Sequence, residues 1–289
     1  MSAPRLIFVL DPGRVPAGTD LPDLAARAAA GGVDAVILRA RGESVGEIPA
    51  LAAALRERIG GTTRLLVNGD IETAAQLGLG VHLPERGSTI AEVRALLGPG
   101  APIGRSVHSP DAAAASGGAD YLLAGHVYPS NSHPGDAPLG PEGFQTIAAA
   151  APCPVLAIGG ITAARVAEVL RHGAAGVAVI DAIAAAPDPE QAARNLRDAL
   201  AHADHQISHP REHAMTTSES AEALNITVNG KTISVAAGAT IRDFLASKKL
   251  ADGMAIVERN GRIVPRAAYP ETALEAGDVL EVVHAVGGG

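Results

Sequence analysis

The sequence predicts an α/β protein in two parts. A (β/α)8 TIM barrel is expected over residues 1–203 and a small α+β β-grasp (ubiquitin-like) domain over 222–289, joined by a linker at 204–221. Three observations carry this. Short β-branched runs alternate with Ala-rich helical runs through the first two-thirds of the chain. The alternation stops in a polar stretch without periodicity, HADHQISHPREHAMTTSESA. Beyond it the order becomes strand, strand, helix, short strands and a last strand.

Strands are expected at 6–10, 35–39, 64–68, 80–83, 103–107, 121–127, 155–159 and 176–180. Helices are expected at 21–30, 47–58, 71–77, 90–97, 110–115, 141–150, 163–172 and 189–202. Eight such pairs are the number that closes a (β/α)8 barrel. The strands are nearly continuous apolar runs, as expected where both faces are buried. Gly31-Gly32, Gly117-Gly118 and Gly173 stop helices. In the tail, 224–229 and 232–236 make a hairpin around Gly230. Thr240 caps a helix that runs to Lys248. The strands 255–259 and 262–264 flank an Asn260-Gly261 turn, and 279–286 is the last strand.

Hydrophobic residues make up 47% of the chain and aromatics 2%, with no Trp. The cores must therefore be built from Ala, Val, Leu and Ile, which suits a barrel filled by layers of branched aliphatics. Few aromatic platforms and a net charge of -8 argue against a nucleic-acid partner. The apolar run at 6–10 is too short for a signal peptide or a membrane span, so no membrane partner is expected. The lone Cys153 cannot form an internal disulfide, which points to a reducing, cytoplasmic location. Its place before an apolar run favours a small buried hydrophobe over a nucleophile. For His202, His205, His209 and His213, a solvated linker is favoured over a metal-binding tract, because Pro210 breaks any fixed helical face.

Barrel chemistry sits at the C-terminal ends of the strands. Ile158-Gly159-Gly160-Ile161-Thr162 follows the seventh strand, and Val179-Ile180-Asp181-Ala182 closes the eighth. Backbone N–H groups at Gly159, Gly160, Ile180 and Asp181 suit a substrate phosphate. The glycines could instead merely permit tight turns, but the phosphate reading is favoured because both loops fit it. The Asp181 carboxylate would repel a phosphate, so only its N–H is expected to take part. His126 ends the sixth strand, where an imidazole with an ordinary pKa of about 6.5 suits acid and base roles alike. On the residues alone a structural role stays equally open. Arg39, Asn68, Arg105 and His108 are the further substrate-binding candidates. Arg39 either clamps a carboxylate with its two-pronged guanidinium or makes a rim salt bridge. His82 and His108 read more readily as hydrogen-bonded packing residues.

Five segments together resemble the thiamin phosphate synthase/thiazole tautomerase superfamily. They are Gly104-Arg105-Ser106-Val107-His108-Ser109, Ala119-Asp120-Tyr121, Gly125-His126-Val127, Leu139-Gly140-Pro141-Glu142-Gly143 and Ile158-Gly159-Gly160-Ile161-Thr162, in a match over nearly all of residues 5–202. Synthases join a pyrimidine diphosphate to a thiazole phosphate, with Mg²⁺ held by acidic residues. Their Asn-Asp after the third strand reads Asn68-Gly69 here, and a second acidic position falls near Gly87. Their Gln-x-Arg-x-Lys on the second strand reads Ile37-Leu38-Arg39-Ala40-Arg41, and their Gly-Pro on the sixth reads Gly125-His126, as in tautomerases. The resemblance therefore implies a thiazole tautomerase. It would convert a phosphorylated thiazole carboxylate with an exocyclic double bond to the aromatic ring, with His126 moving the proton and no metal or cofactor required.

Val228-Asn229-Gly230-Lys231, Ala255-Ile256-Val257-Glu258-Arg259-Asn260-Gly261 and Gly287-Gly288-Gly289 resemble the sulfur carrier of thiazole biosynthesis. A glycine end can thread a narrow channel because it has no side chain to obstruct it. The resemblance implies a thiocarboxylate on Gly289, next to Gly288. A sulfur-carrier adenylyltransferase would use ATP to activate Gly289, and thiazole synthase would receive the sulfur. The third glycine departs from the usual ending, and molybdopterin-pathway carriers share this fold and tail, so the barrel selects the pathway. Two alternatives stay open: a thiamin phosphate synthase fused to the carrier, and a non-catalytic barrel scaffolding it. Barrels of this class often pair, which allows a homodimer.

Overall fold

The computed structural model of the chain describes residues 3–39, 47–130, 135–208, 223–236, 238–248 and 255–284. The chain divides into two compact units, Met1–Ser208 and His209–Gly289.

In the first unit, β1 (Leu6–Leu10), β2 (Ala35–Leu38), β3 (Arg64–Asn68), β4 (Gly80–Leu83), β5 (Ile103–Val107), β6 (Tyr121–Gly125), β7 (Val155–Ile158) and β8 (Gly176–Val179) form a closed barrel. Each strand pairs in parallel with the next, and β8 pairs with β1. The helices α1 (Leu21–Ala30), α2 (Ile48–Ile59), α3 (Ile71–Leu77), α4 (Ile90–Leu97), α5 (Pro110–Ala114), α6 (Gly140–Ala150) and α7 (Ala163–Arg171) follow β1 to β7 in turn. A single turn, α8 (Asp181–Ala184), and then α9 (Pro189–Ser208) follow β8. Side-chain oxygens start several helices. Asp20 caps α1, Asp70 caps α3, and Thr89 with Glu92 forms a capping box on α4.

Successive side chains on a strand point to opposite faces. One parity, including Ile7, Val9, Ile37, Leu66, Leu123 and Leu156, fills the barrel interior. The other, including Phe8, Val36, Val67, Leu122 and Val177, packs under the helices. At the narrow bottom the large Tyr121 faces Gly104, where a Cβ would lie 2.2 Å from the tyrosine Cζ. The next inward positions toward the C-terminal ends, among them Arg39, Asn68, Gly125 and Ile180, line the mouth.

Strand and helix ends shift by a residue or two, as at β6, which stops at Gly125 rather than 127, and two larger differences from the sequence expectation stand out. The last helix does not stop at residue 202 but continues to Ser208, into the span read as linker. Ala203 is buried and the Asp204 carboxylate pairs with Arg5 at 2.8 Å, so tertiary contacts hold a turn that composition alone reads as polar linker. The short α8 was not foreseen. Residues 209–222, most of the expected linker, lie outside the described residues.

The second unit orders its sheet β10-β9-β13-β11-β12. The strands are β9 (Ala223–Val228), β10 (Lys231–Ala236), β11 (Ala255–Arg259), β12 (Arg262–Val264) and β13 (Val279–His284), with α10 (Ile241–Ser247) after β10. The first and last strands are parallel neighbours, and every other pairing is antiparallel. Both hairpins turn on Asn-Gly, with φ of 46° and 78° at Asn229 and Gly230 and of 52° and 80° at Asn260 and Gly261. Positive φ at both central residues is the turn that matches strand twist. Ile226, Ile241, Phe244, Leu245, Val257 and Leu280 form the core.

Asp278 is buried at the foot of β13. It pairs with Arg259 at 2.8 Å and accepts from Asn260 Nδ2 at 2.7 Å and from the Glu275 N–H at 2.9 Å. Burial pushes its carboxyl up, but Arg259, the Glu275 N–H and Asn260 outweigh this and hold it below the usual range. Asp278→Ala is expected to cost about 2–3 kcal/mol by stranding these donors. Chemical denaturation of the protein, followed by a probe in this unit, measures it. The expected tail glycines Gly288 and Gly289 lie outside the described residues.

Candidate active site at the barrel mouth

A cavity of about 780 Å³ opens at the C-terminal ends of the strands. Arg39, Asn68, His108, His126, Gly159, Gly160, Ile180 and Asp181 all line it. Arg105 does not. It pairs in register with Leu83 and Leu122, whose side chains face the helix layer. Its guanidinium donates to the Ser88 carbonyl. The expectation for Arg105 as a substrate ligand is corrected by strand parity: residue 105 points out, and Ser106 beside it points in.

His126 stands where β6 leaves the barrel, backed directly by the β7 loop. A Cβ at Gly159 would lie 2.3 Å from the His126 Cβ, and Gly159 has φ of 98°. The glycine is therefore required twice, by conformation and by the close approach of the histidine. A Cβ at its neighbour Gly160 would lie 2.6 Å from the Pro129 carbonyl oxygen and 2.8 Å from the Tyr128 Cβ. The His126 carbonyl accepts from the Leu139 N–H at 2.9 Å, which closes the β6–α6 loop at its base. His126 Nε2 lies 3.4 Å from the Asp136 carbonyl oxygen, long for a hydrogen bond. Gly159→Ala is expected to destabilise the barrel by about 2 kcal/mol or more, through a strained φ and overpacking against His126. Thermal unfolding of the variant measures this.

The electrostatics of the mouth are paired. Asp181, expected to disfavour an anion, is held in a two-pronged ion pair by Arg14, with Nε at 3.1 Å and Nη2 at 2.5 Å. Arg14 comes from the turn after β1, where Pro12–Arg14 form one 3-10 turn. Arg39 lies 3.7 Å from the buried Asp11 carboxylate, which also accepts from the Gly13 N–H. His108 Nδ1 lies 2.7 Å from Glu85 at the rim. Arg165 lines the cavity beside the glycine loop, with its guanidinium 4.4 Å from the Tyr128 ring centre and donating to the Gly160 carbonyl at 2.6 Å.

Below the mouth, His82 is buried between Tyr121 and Ser106, with Nδ1 3.3 Å from the tyrosine hydroxyl and Nε2 2.9 Å from the serine hydroxyl. Burial first, and then the Arg105 charge, pulls its pKa down to about 3, so it is neutral in ordinary buffers. Cys153 lies outside the cavity, partly buried against the helix layer, and burial pushes its thiol up. That disfavours the thiolate a nucleophile needs.

Sequence reasoning did not single out Arg14, Glu85, Ser106 and Arg165 as cavity residues. For Ser106 a signal existed, since it shares the parity of His108, which lies just past the end of β5. For Arg14 none did, because its partner Asp181 lies 167 positions away.

A divalent ion holding a pyrophosphate needs carboxylates that converge. The acids lining the cavity, among the described residues, are Glu85 and Asp181. They follow β4 and β8, on opposite sides of the ring, and each faces a basic side chain. Position 69 is Gly, with open space where a Cβ would be, and the neighbouring Asp70 carboxylate is taken up capping α3. These residues do not fit a metal-bound pyrophosphate.

A closed parallel barrel with a polar mouth at the strand C-termini and a Gly-Gly loop after its seventh strand defines the (β/α)8 barrel class. The thiamine monophosphate synthase family matches residues 6–183, and the ThiS family matches residues 220–289. The chain belongs to the thiamine monophosphate synthase family and carries a ThiS-type β-grasp domain behind the barrel. It is 41% identical over 180 residues to a thiamine-phosphate synthase of Chlorobium luteolum, covering 60% of this chain and 84% of the relative. It is 39% identical to a thiamine-phosphate synthase of Methanoculleus marisnigri, covering 68% and 95% of the two chains. Among solved structures, the thiamine phosphate pyrophosphorylase from Pyrococcus furiosus superposes with a TM-score of 0.60 at 28% identity, over 69% of this chain and 96% of that one. These relatives carry the synthase name rather than a tautomerase name. Among the described residues no helix is long and apolar enough to cross a membrane.

Proposed function

We propose that the barrel isomerises a phosphorylated thiazole carboxylate to its aromatic tautomer, and that the ThiS-type domain carries sulfur for making that thiazole. The observation that carries the barrel reading is His126, set in the cavity mouth directly against the Gly159-Gly160 loop. The substrate phosphate rests on backbone N–H groups of the loops at β7 and β8, with the Asp181 carboxylate neutralised by Arg14. Arg39 and Asn68 face the carboxylate end. His126 removes a proton from the ring carbon and returns one to the exocyclic carbon, so the double bonds move and the composition is unchanged. The carrier domain holds sulfur as a thiocarboxylate on Gly289 after an adenylyltransferase partner activates that carboxyl with ATP, and thiazole synthase takes the sulfur. This part rests on the ThiS family match.

The names of the relatives favour the second reading, in which the barrel couples a pyrimidine diphosphate to a thiazole phosphate. One pair of assays separates the two. The purified protein is given either the fresh thiazole carboxylate phosphate tautomer, or hydroxymethylpyrimidine diphosphate with thiazole phosphate and Mg²⁺. The first reading requires accelerated aromatisation and no coupling. Coupling without aromatisation establishes the second and discards the first.

A further inference from the structure

The mechanism leaves one buried group unused. His82 sits on the cavity floor at 2% exposure, between two hydroxyls on different strands. The Tyr121 side chain is 1% exposed. Among the described residues, His82 Nδ1, at a long 3.3 Å, is the hydrogen-bond partner in reach of its hydroxyl. A tyrosine hydroxyl this deeply buried keeps its proton, since burial and then the Asp120 charge push its pKa up. A neutral imidazole has one N–H and one acceptor nitrogen. The three groups can therefore be wired in two directions. If Nδ1 carried the proton, it would point at the tyrosine oxygen and leave the Tyr121 O–H without an acceptor in the barrel core. A buried donor without a partner bears its full desolvation cost. If Tyr121 instead donates to Nδ1, the imidazole proton lies on Nε2 and is donated to Ser106 Oγ. The two buried donors, Tyr121 O–H and His82 Nε2–H, are then satisfied, and the Ser106 hydrogen is left to point into the cavity that Ser106 lines.

We infer that Tyr121 and His82 are positioning residues that orient the Ser106 hydroxyl as a hydrogen-bond donor into the cavity, where it reads the carboxylate of the ligand. The chain runs one way, from Tyr121 through His82 to Ser106 and then to the ligand oxygen. A ligand lacking an acceptor at that place leaves the serine hydrogen unmatched, so the chain selects the carboxylated thiazole phosphate over the same phosphate without its carboxylate. This inference rests on the proposed substrate, but not on His126 or on turnover.

The first test needs no variant. In protein labelled with ¹⁵N at histidine, His82 is expected to show the Nε2–H tautomer at neutral pH. A proton on Nδ1 overturns the inference. The second test is calorimetric titration with the aromatic thiazole carboxylate phosphate and with the carboxylate-free thiazole phosphate. Ser106→Ala is expected to weaken the carboxylated ligand about tenfold or more and to leave the other unchanged. Tyr121→Phe should reproduce part of that loss in the native background and none of it in Ser106→Ala. Equal weakening of both ligands, additive losses in the double variant, or no binding of the carboxylated ligand by the native protein each overturn it. If both ligands bind as expected and aromatisation is absent, the isomerase reading fails while the Tyr121–His82–Ser106 chain stands.

Discussion

His126→Ala is expected to slow aromatisation of the thiazole carboxylate phosphate by about a hundred- to ten-thousandfold, the usual contribution of a positioned acid/base group. Affinity for the aromatic product should change little, because the phosphate site proposed for it is the β7 and β8 loops rather than the imidazole. A KM effect without a kcat effect would make His126 a binding residue. An unchanged rate would remove it from the chemistry. Gly159 offers a check on placement: the loop glycine and the histidine share the same space, so a methyl group at 159 should lower the rate by moving His126 while leaving its chemistry intact. His126→Gln keeps a polar side chain of similar reach but cannot exchange a proton near neutrality, and should be as slow as the alanine variant.

Acid sensitivity of the barrel is the second large effect. The His82 pKa falls from 6.5 in the free residue to about 3 in the fold, chiefly through burial and then through Arg105. The folded value lies below the unfolded one, so the unfolded chain takes up the proton first. Stability from this residue is therefore complete above about pH 6.5 and falls as the pH drops toward 3. The slope approaches about 1.4 kcal/mol per pH unit within that window. Denaturant titrations of native protein and His82→Gln at pH 7, 6, 5 and 4 measure the difference. The native protein should lose stability more steeply than the variant below pH 6. Parallel curves would mean that His82 is solvated or charged in the fold. The comparison is differential because carboxylates common to both proteins also titrate at the acid end.

The order of elements was legible in the chain. Hydrophobic runs, Ala-rich stretches and glycine stops are local signals, set within a few residues by steric and hydrogen-bonding preferences. They sufficed for eight parallel strands and for both Asn-Gly hairpins, and they placed His126, Gly159, Gly160, Ile180 and Asp181 at one rim, because every strand of such a barrel delivers its C-terminal end there. Strand ends were less legible: β6 stops at Gly125, yet the Val127 N–H still bonds the Ile158 carbonyl at 2.9 Å. Helix α9 ran on because Asp204 meets Arg5, a contact across 199 positions.

By itself, then, the sequence determined a two-part chain, a parallel barrel, a rim of candidate residues and a glycine-bearing tail. The tertiary structure decided which of those candidates face the cavity and what they meet there. Arg105 was lost and Ser106 gained by a single step of strand parity, which depends on cross-strand register rather than composition. Asp181 ceased to be an obstacle to an anion because Arg14, 167 positions away, covers it. His82 became the middle of a directed chain only when β4, β5 and β6 were laid side by side. Each of these outcomes depends on barrel closure, which brings distant residues within a hydrogen bond of one another, and no local preference along the chain encodes that distance.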